Sequence, residues 1–139
     1  MKKALLVFLL IVTVLGIIGY RMWNKPHSDM TSATPDAKLT ATELYKVYQT
    51  NETIADKQYL GKVILVTGNI LEVNQGTDGS TNLLLDTGDP MSTILCQLDK
   101  FTKQTNITYS AGQQVTVKGI CSGFTGDVVI DRCIVTDKK

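Results

Sequence analysis

The sequence contains a single histidine, His27, and this scarcity excludes several kinds of site. A metal site built from imidazoles needs a second histidine, and a Ser-His-Asp relay needs one within the folded part of the chain. His27 lies instead in a stretch rich in Pro, Ser and Thr, where side chains are solvated. We therefore expect a protein that is not an enzyme, with no catalytic residues, no metal site and no cofactor.

Cysteine is also scarce, with three residues at positions 96, 121 and 133. None of them belongs to a C-x-x-C pair, so a zinc site lacks its usual ligand spacing. The domain offers no histidine to activate a thiol, which argues against a catalytic cysteine. Because no cysteine lies near the end of the apolar run at the N-terminus, the residues exclude processing as a bacterial lipoprotein.

Most of the chain carries no excess of positive charge. Residues 1–35 hold four Lys or Arg against one acid, a net charge of +3, whereas residues 36–139 hold ten against twelve, a net charge of −2. Proteins that bind a phosphate backbone depend on a basic surface. The composition therefore weighs against nucleic acid as a partner of the folded part.

Apolar residues, by contrast, are concentrated near the start of the sequence. Two lysines precede an uncharged run rich in Leu, Val and Ile over residues 4–20, which is long enough for a membrane-spanning helix. No small-x-small cleavage motif follows, and Tyr20 and Trp23 suit the lipid headgroup boundary. We predict an uncleaved membrane anchor over residues 1–23, in contact with lipid. A removed signal sequence and a buried core helix are the alternatives.

The short lysine pair favours a cytoplasmic N-terminus, which places the following domain on the outer (periplasmic or extracytoplasmic) side of a single-pass membrane protein. Residues 24–37 contain Pro26 and Pro35 without an apolar period, and they are predicted to be a flexible tether. The domain itself is assigned to residues 38–139.

The domain begins with a helix and continues with strands. Thr40 and Glu43 have the spacing of a capping box, and Leu44 and Tyr48 follow at helical spacing. Five β-rich runs separated by turn residues come next, at residues 63–73, 81–86, 92–98, 115–122 and 128–135. The glycine at position 68, in the middle of the first run, predicts a bend in that strand.

The order of these runs predicts the fold class. The first run is long and bent, and the longest connection separates the third run from the fourth. This arrangement is typical of an OB-fold, which is a five-stranded Greek-key barrel. We predict a mainly β domain of this kind, with the N-terminal helix covering one open end of the barrel and a single transmembrane helix before the domain.

Two segments of the domain resemble a known family. The first carries an Asn-Glu pair at positions 51 and 52, and the second carries Gly-x-Cys-x-Gly from Gly119 to Gly123. In these segments the chain is similar, over about residues 24–135, to the bacterial tRNA anticodon-like OB-fold family. Its members are small proteins on a membrane anchor or lipoprotein signal. The resemblance implies a fold like that of nucleic-acid-binding OB domains, and it provides no catalytic residues to carry over.

The cysteines leave a choice of pairing. In an OB-fold the fifth strand lies beside both the third and the fourth, so Cys133 can approach Cys96 or Cys121. An extracytoplasmic domain permits a disulfide. We predict a Cys121–Cys133 disulfide, with three buried reduced thiols as the alternative.

Two functions remain open. The first is a non-catalytic envelope binding module that holds a peptide, glycan or partner protein on its second and third strands and the adjoining loops. The candidates, chosen by position, are Asn74, Gln75, Asp78, Asn82 and Gln97. The second is binding of single-stranded nucleic acid, which needs aromatic side chains interleaved with Lys and Arg.

Overall fold

The structure is a computed structural model of the chain, and it describes residues 13, 14, 16, 20, 30–76, 79–100 and 108–138. Most of the predicted anchor (1–23) and the first part of the predicted tether lie outside the described residues. The four described residues between 13 and 20 are helical and exposed. Within the described part of the chain, no helix has both the length and the apolar character needed to cross a membrane.

The domain has six strands and two helices within the described ranges. In chain order they are β1 (Ala37–Thr40), α1 (Ala41–Thr50), α2 (Glu52–Tyr59), β2 (Val63–Gln75), β3 (Thr81–Asp86), β4 (Thr93–Leu98), β5 (Gln114–Phe124) and β6 (Val128–Lys138). All five predicted strands are present, as β2 to β6. The additional strand, β1, pairs in parallel with the first half of β2.

The strands close into a barrel. β2 pairs with β3, β3 with β4, β4 with β6, β6 with β5, and β5 returns to β2. The β4–β6 pair is parallel, and the other pairs around the ring are antiparallel. The predicted five-stranded OB-type barrel is therefore confirmed, including the position of the fifth barrel strand between the third and fourth. Closure satisfies the backbone groups that an open sheet would leave at its edges.

The long strand β2 pairs with two neighbours in the barrel, β5 and β3, because it bends. Its first half pairs with β5 up to Asn69, and from Ile70 onward it pairs with β3. The bend depends on Gly68, where a Cβ atom would stand 2.9 Å from the Cβ of Ala41 in α1. A bulge at Leu71 adds to the change of direction.

Helix α1 packs on the barrel beside the β3–β4 turn, and α2 contacts β5. The predicted capping box is present: the Thr40 side chain accepts from the Glu43 N–H, and the Glu43 carboxylate accepts from the Thr40 N–H at 2.8 Å. Tyr48 is buried in the core and stacks on Phe124, while Tyr45 donates a hydrogen bond to Asp89 at 3.0 Å. Both tyrosines therefore join α1 to the barrel.

The second half of the predicted tether packs on the barrel. Met30 is only 2% exposed. The Nζ of Lys118, on β5, donates to the backbone carbonyls of Thr31 at 3.1 Å and Ala33 at 3.0 Å. The Asp36 N–H donates to the carbonyl of Val63 at 2.7 Å. The segment from residue 30 to residue 36 thus contacts the barrel, in part through the Lys118 side chain.

The predicted Cys121–Cys133 disulfide is not present, since all three cysteines are free, buried thiols. Cys121 lies opposite Ile130, and its Sγ is 3.2 Å from the Tyr48 hydroxyl. Cys133 lies opposite Leu98 on β4, and its Sγ donates to the Ile130 carbonyl at 3.2 Å. An extra residue in β6 before Cys133 sets the β4–β6 register, and the Cys133 Sγ lies against Gly119 of β5.

Candidate functional site

Three amide side chains form a row across the outer face of the barrel. Asn74 on β2 lies opposite Asn82 on β3, and Asn82 lies opposite Gln97 on β4. Asn82 is next to the buried Leu83, and Gln97 is next to the buried Cys96. Because successive side chains of a strand point to opposite faces, both amides face outward. Because neighbouring strands are about 4.8 Å apart, the row spans roughly 10 Å. We call these three residues the amide row.

The structure thus brings together three of the five sequence-predicted candidates and separates a fourth. Gln75 is exposed, but strand alternation places it on the opposite face of β2 from Asn74. Asp78 lies outside the described residues. The predicted ligand face is consequently narrower than the sequence suggested, and it is centred on β3 and β4.

The amide row ends in a cleft of about 250 Å³. Its lining residues are Ser80, Gln97, Leu98, Asp99, Lys100, Asp131 and Arg132. Gln97 belongs to both the row and the cleft, and its Nε2 donates to the Ser80 hydroxyl at 3.4 Å. Two cations and two acids line the cleft, so their formal charges balance.

Arg132 has an unusual backbone conformation. Its φ of 52° is the only positive φ of a non-glycine residue in the described part of the chain. Cys96 on β4 pairs with Ile130 on β6, and Leu98 pairs with Cys133. One residue of β4 lies between these two pairs, whereas two residues of β6 do. Asp131 and Arg132 therefore both lie opposite Gln97. Bulges of this kind redirect side chains and are frequent beside functional sites.

The side chain of Asn82 is the second unusual feature of the site, because it has an unpaired buried oxygen. Its Oδ1 is buried and has no hydrogen-bond partner among the residues that the structure describes. Buried polar atoms are nearly always paired in proteins, so an unpaired one calls for an explanation. A rotation of the Asn82 side chain would bring this atom within reach of a ligand donor on the amide row.

An apolar row lies beside the amide row. Leu84 on β3 pairs with Leu95 on β4, and Leu95 pairs with Val129 on β6. All three are half-buried. The outer face thus offers hydrogen-bonding groups and aliphatic surface in adjacent rows.

The comparison with protein families now identifies the chain. The model of the tRNA_anti-like family matches residues 1–135. The chain belongs to the tRNA_anti-like family. The resemblance found in the sequence is therefore confirmed, and the closed barrel agrees with it.

A solved structure supports the same fold. The crystal structure of a "putative nucleic acid-binding lipoprotein" from Klebsiella pneumoniae covers 81% of this tRNA_anti-like chain and 100% of its own, with a TM-score of 0.58. The two sequences are 16% identical, so the likeness concerns the fold alone. No curated protein matches the chain.

The acidic residues near the cleft have structural partners. Asp131 accepts a hydrogen bond from the Ser122 hydroxyl at 2.5 Å. Asp127 accepts from the backbone N–H of Thr93 at 2.6 Å, which fastens the β5–β6 turn to β4. Among the described residues, no three His, Cys, Asp or Glu side chains converge as metal ligands would.

The three thiols are poorly suited to act as nucleophiles. Burial raises the pKa of the Cys133 thiol well above its usual range, and a hydrogen bond with Cys96 raises it further. Cys121 and Cys96 are fully buried as well. Because the thiolate is the reactive form, a buried thiol of raised pKa is a weak nucleophile.

Arg132 was missed by the sequence analysis, although a signal for it exists. Buried residues alternate in β6 at Val128 and Ile130, and the alternation then shifts phase so that the next buried residue is Cys133. Such a phase shift within a strand indicates a bulge. The three-residue step from Ile130 to Cys133 could therefore have directed attention to Arg132.

Proposed function

We propose that this chain is a non-catalytic binding module of the cell envelope that holds its ligand on the outer face of the barrel. The observation that carries the proposal is the amide row, which runs across three strands and ends in the cleft beside Arg132. Hydrogen-bonding side chains projecting from rigid strands suit recognition of a polar ligand.

The non-catalytic part of the proposal follows from the state of the reactive groups. The thiols are buried, and both Asp127 and Asp131 are engaged in hydrogen bonds within the fold. A general base or nucleophile needs access to a substrate. The thiols lack this access, and both carboxylates are already occupied within the fold, whereas Asn74 of the amide row is exposed.

The location at the envelope rests on two observations. The sequence has an apolar run over residues 4–20, long enough for a membrane anchor. The Klebsiella pneumoniae relative in fold is described as a lipoprotein. We propose that the N-terminus is cytoplasmic and that the barrel lies on the outer side of the membrane.

Binding of single-stranded nucleic acid is the second candidate. The description of the Klebsiella pneumoniae protein favours it, as do Lys100 and Arg132 at the cleft. Asp99 and Asp131 in the same cleft oppose it, because they repel phosphates. The balanced charge makes this candidate the weaker of the two.

The test is an NMR titration of the full-length chain in detergent micelles with three separate probes. The probes are a thymine oligonucleotide, a soluble peptidoglycan fragment and a pool of random peptides. Backbone amide shifts clustered at Asn82, Gln97 and Arg132 with any probe support the proposed face. Shifts confined to the groove at Val47 and Ile54 between the helices, or no shifts with any probe, would contradict it.

The salt dependence of binding separates the two candidates. Each phosphate contact contributes to the slope of affinity against salt concentration, so oligonucleotide binding at this face with a steep slope would favour nucleic acid. Binding of a peptide or glycan with a shallow slope would favour the envelope module.

A further inference from the structure

We infer that the ligand is an extended polypeptide segment and that Arg132 binds a carboxylate of that segment. The inference rests on the proposed function of the outer face, and it adds both a ligand class and a residue that the sequence analysis did not name. The reasons lie in the state of Arg132, the chemistry of the two rows and the charges of the cleft.

Arg132 is an exposed cation without an internal role. Its side chain makes no hydrogen bond or ion pair with the residues described, and it lines the cleft next to Gln97. Its backbone is held at φ 52°, a conformation that a side chain other than Gly, Asn or Asp seldom adopts. Strain of this kind persists where a function requires the residue. A guanidinium pairs best with a planar oxyanion, which it binds through two parallel hydrogen bonds.

The two rows match the chemistry of a polypeptide. Each amide of the amide row offers both a donor and an acceptor, as do the N–H and C=O groups of a peptide backbone. The row spans roughly 10 Å, which is the length of about three extended residues. Leu84, Leu95 and Val129 lie alongside and provide an aliphatic surface for the apolar side chains of such a segment.

Other ligand classes fit this face less well. Bases of single-stranded nucleic acid stack on aromatic side chains, and none lies in the amide row, the apolar row or the described lining of the cleft. The acids Asp99 and Asp131 would repel a chain of phosphates more strongly than a single carboxylate, because a phosphate chain brings several negative charges to the cleft. A polypeptide with one acidic group satisfies these conditions together.

The test begins with selection of a random-sequence peptide display library on the full-length chain in detergent micelles. Recovered peptides are synthesised, and their Kd values are measured by fluorescence anisotropy against the wild type, Arg132→Asn and Lys57→Gln. Asparagine tolerates the positive φ of position 132 and removes the cation. Lys57→Gln removes the same charge from the exposed last turn of α2 and serves as the matched control.

We expect the selected peptides to share an acidic position or to bind through the C-terminal carboxylate. Arg132→Asn should weaken their binding at least about tenfold, while Lys57→Gln changes it less than about twofold. Replacing the peptide carboxylate by an amide should weaken binding to the wild type and leave binding to Arg132→Asn unchanged. An unchanged or raised Tm of Arg132→Asn shows that the variant is folded.

The contrary outcomes are distinguishable. Peptides that bind Arg132→Asn as tightly as the wild type would overturn the role of Arg132. An oligonucleotide or glycan that binds the outer face while no peptide is recovered would overturn the polypeptide inference and leave the proposed function standing. Absence of binding at this face with every probe would overturn both.

Discussion

The carboxylate of Asp127 accepts hydrogen bonds from both the backbone N–H and the hydroxyl of Thr93, at 2.6 Å and 3.0 Å. This contact joins the β5–β6 turn to the start of β4, where the parallel β4–β6 pairing begins with Ile94 opposite Val128. An aspartate in a hairpin turn commonly accepts from backbone N–H groups close by in the chain, and Asp127 departs from this pattern. Its partner instead lies 34 positions away in the chain.

The Asp127–Thr93 contact should stabilise the fold measurably. Asp127→Ala removes a charged acceptor and leaves the Thr93 N–H without its partner, so we expect a loss of about 2 kcal/mol in the free energy of unfolding. Asp127→Asn keeps a carbonyl oxygen at the same position and should lose about half as much. Urea denaturation of the three proteins measures both values. Equal stability of Asp127→Ala and the wild type would show that the contact contributes nothing.

Local signals made most of the barrel predictable from the sequence. The strands follow from β-branched runs bounded by Gly, Asn and Asp, and the capping box of Thr40 and Glu43 is readable because it involves residues three apart. Gly126, in the turn between β5 and β6, adopts positive φ, as does Gly123 near the end of β5.

The features that were missed depend on contacts between distant parts of the chain. β1 has four residues, too few for a recognisable period, and it exists because β2 offers a parallel partner. The disulfide prediction failed because the β5–β6 pairing places Cys121 opposite Ile130, three positions away from Cys133. The amide row was found only by position, since the cross-strand pairing of Asn82 with Gln97 is a property of the folded sheet.

Lys118 should hold the segment before β1 against the barrel. Its Nζ donates to the carbonyls of Thr31 and Ala33, and the residue is only 8% exposed. Lys118→Met keeps the aliphatic stem but removes both hydrogen bonds, so the segment should detach. We expect faster hydrogen exchange at the amide of Asp36, which donates to Val63, and faster cleavage by a protease around residue 33.

The matched control for this experiment is Lys62→Met, because Lys62 is an exposed lysine just before β2. It should leave both readouts unchanged. If Lys118→Met also exchanges and is cleaved at the wild-type rate, the buried lysine does not retain the segment.

The capping box should make the stability of α1 depend on pH. Hydrogen bonds from the Thr40 backbone N–H and hydroxyl lower the pKa of Glu43 in the folded protein. A group whose folded pKa is lowered stabilises the fold above its unfolded pKa, and this contribution disappears as the pH falls through the folded value. The wild type should therefore lose stability relative to Glu43→Gln as the pH falls below the ordinary glutamate range.

Thermal unfolding of the wild type and Glu43→Gln across the acidic range measures this difference. Glu43 is fully exposed, so the effect should be small and should shrink further in high salt. A stability difference between the two proteins that stays constant with pH would argue against an ionic contribution from the capping box.

The strained backbone of Arg132 yields a prediction that is independent of any ligand. A non-glycine residue at positive φ costs about 1–2 kcal/mol relative to a residue that adopts this conformation freely. Because Arg132 has no internal partner among the described residues, Arg132→Gly should remove the strain without removing a contact, and we expect a gain of about 1 kcal/mol in the free energy of unfolding. Denaturant titration provides the value. A loss of stability in Arg132→Gly would mean that the arginine supports the fold, which would remove the reason for assigning it to a ligand.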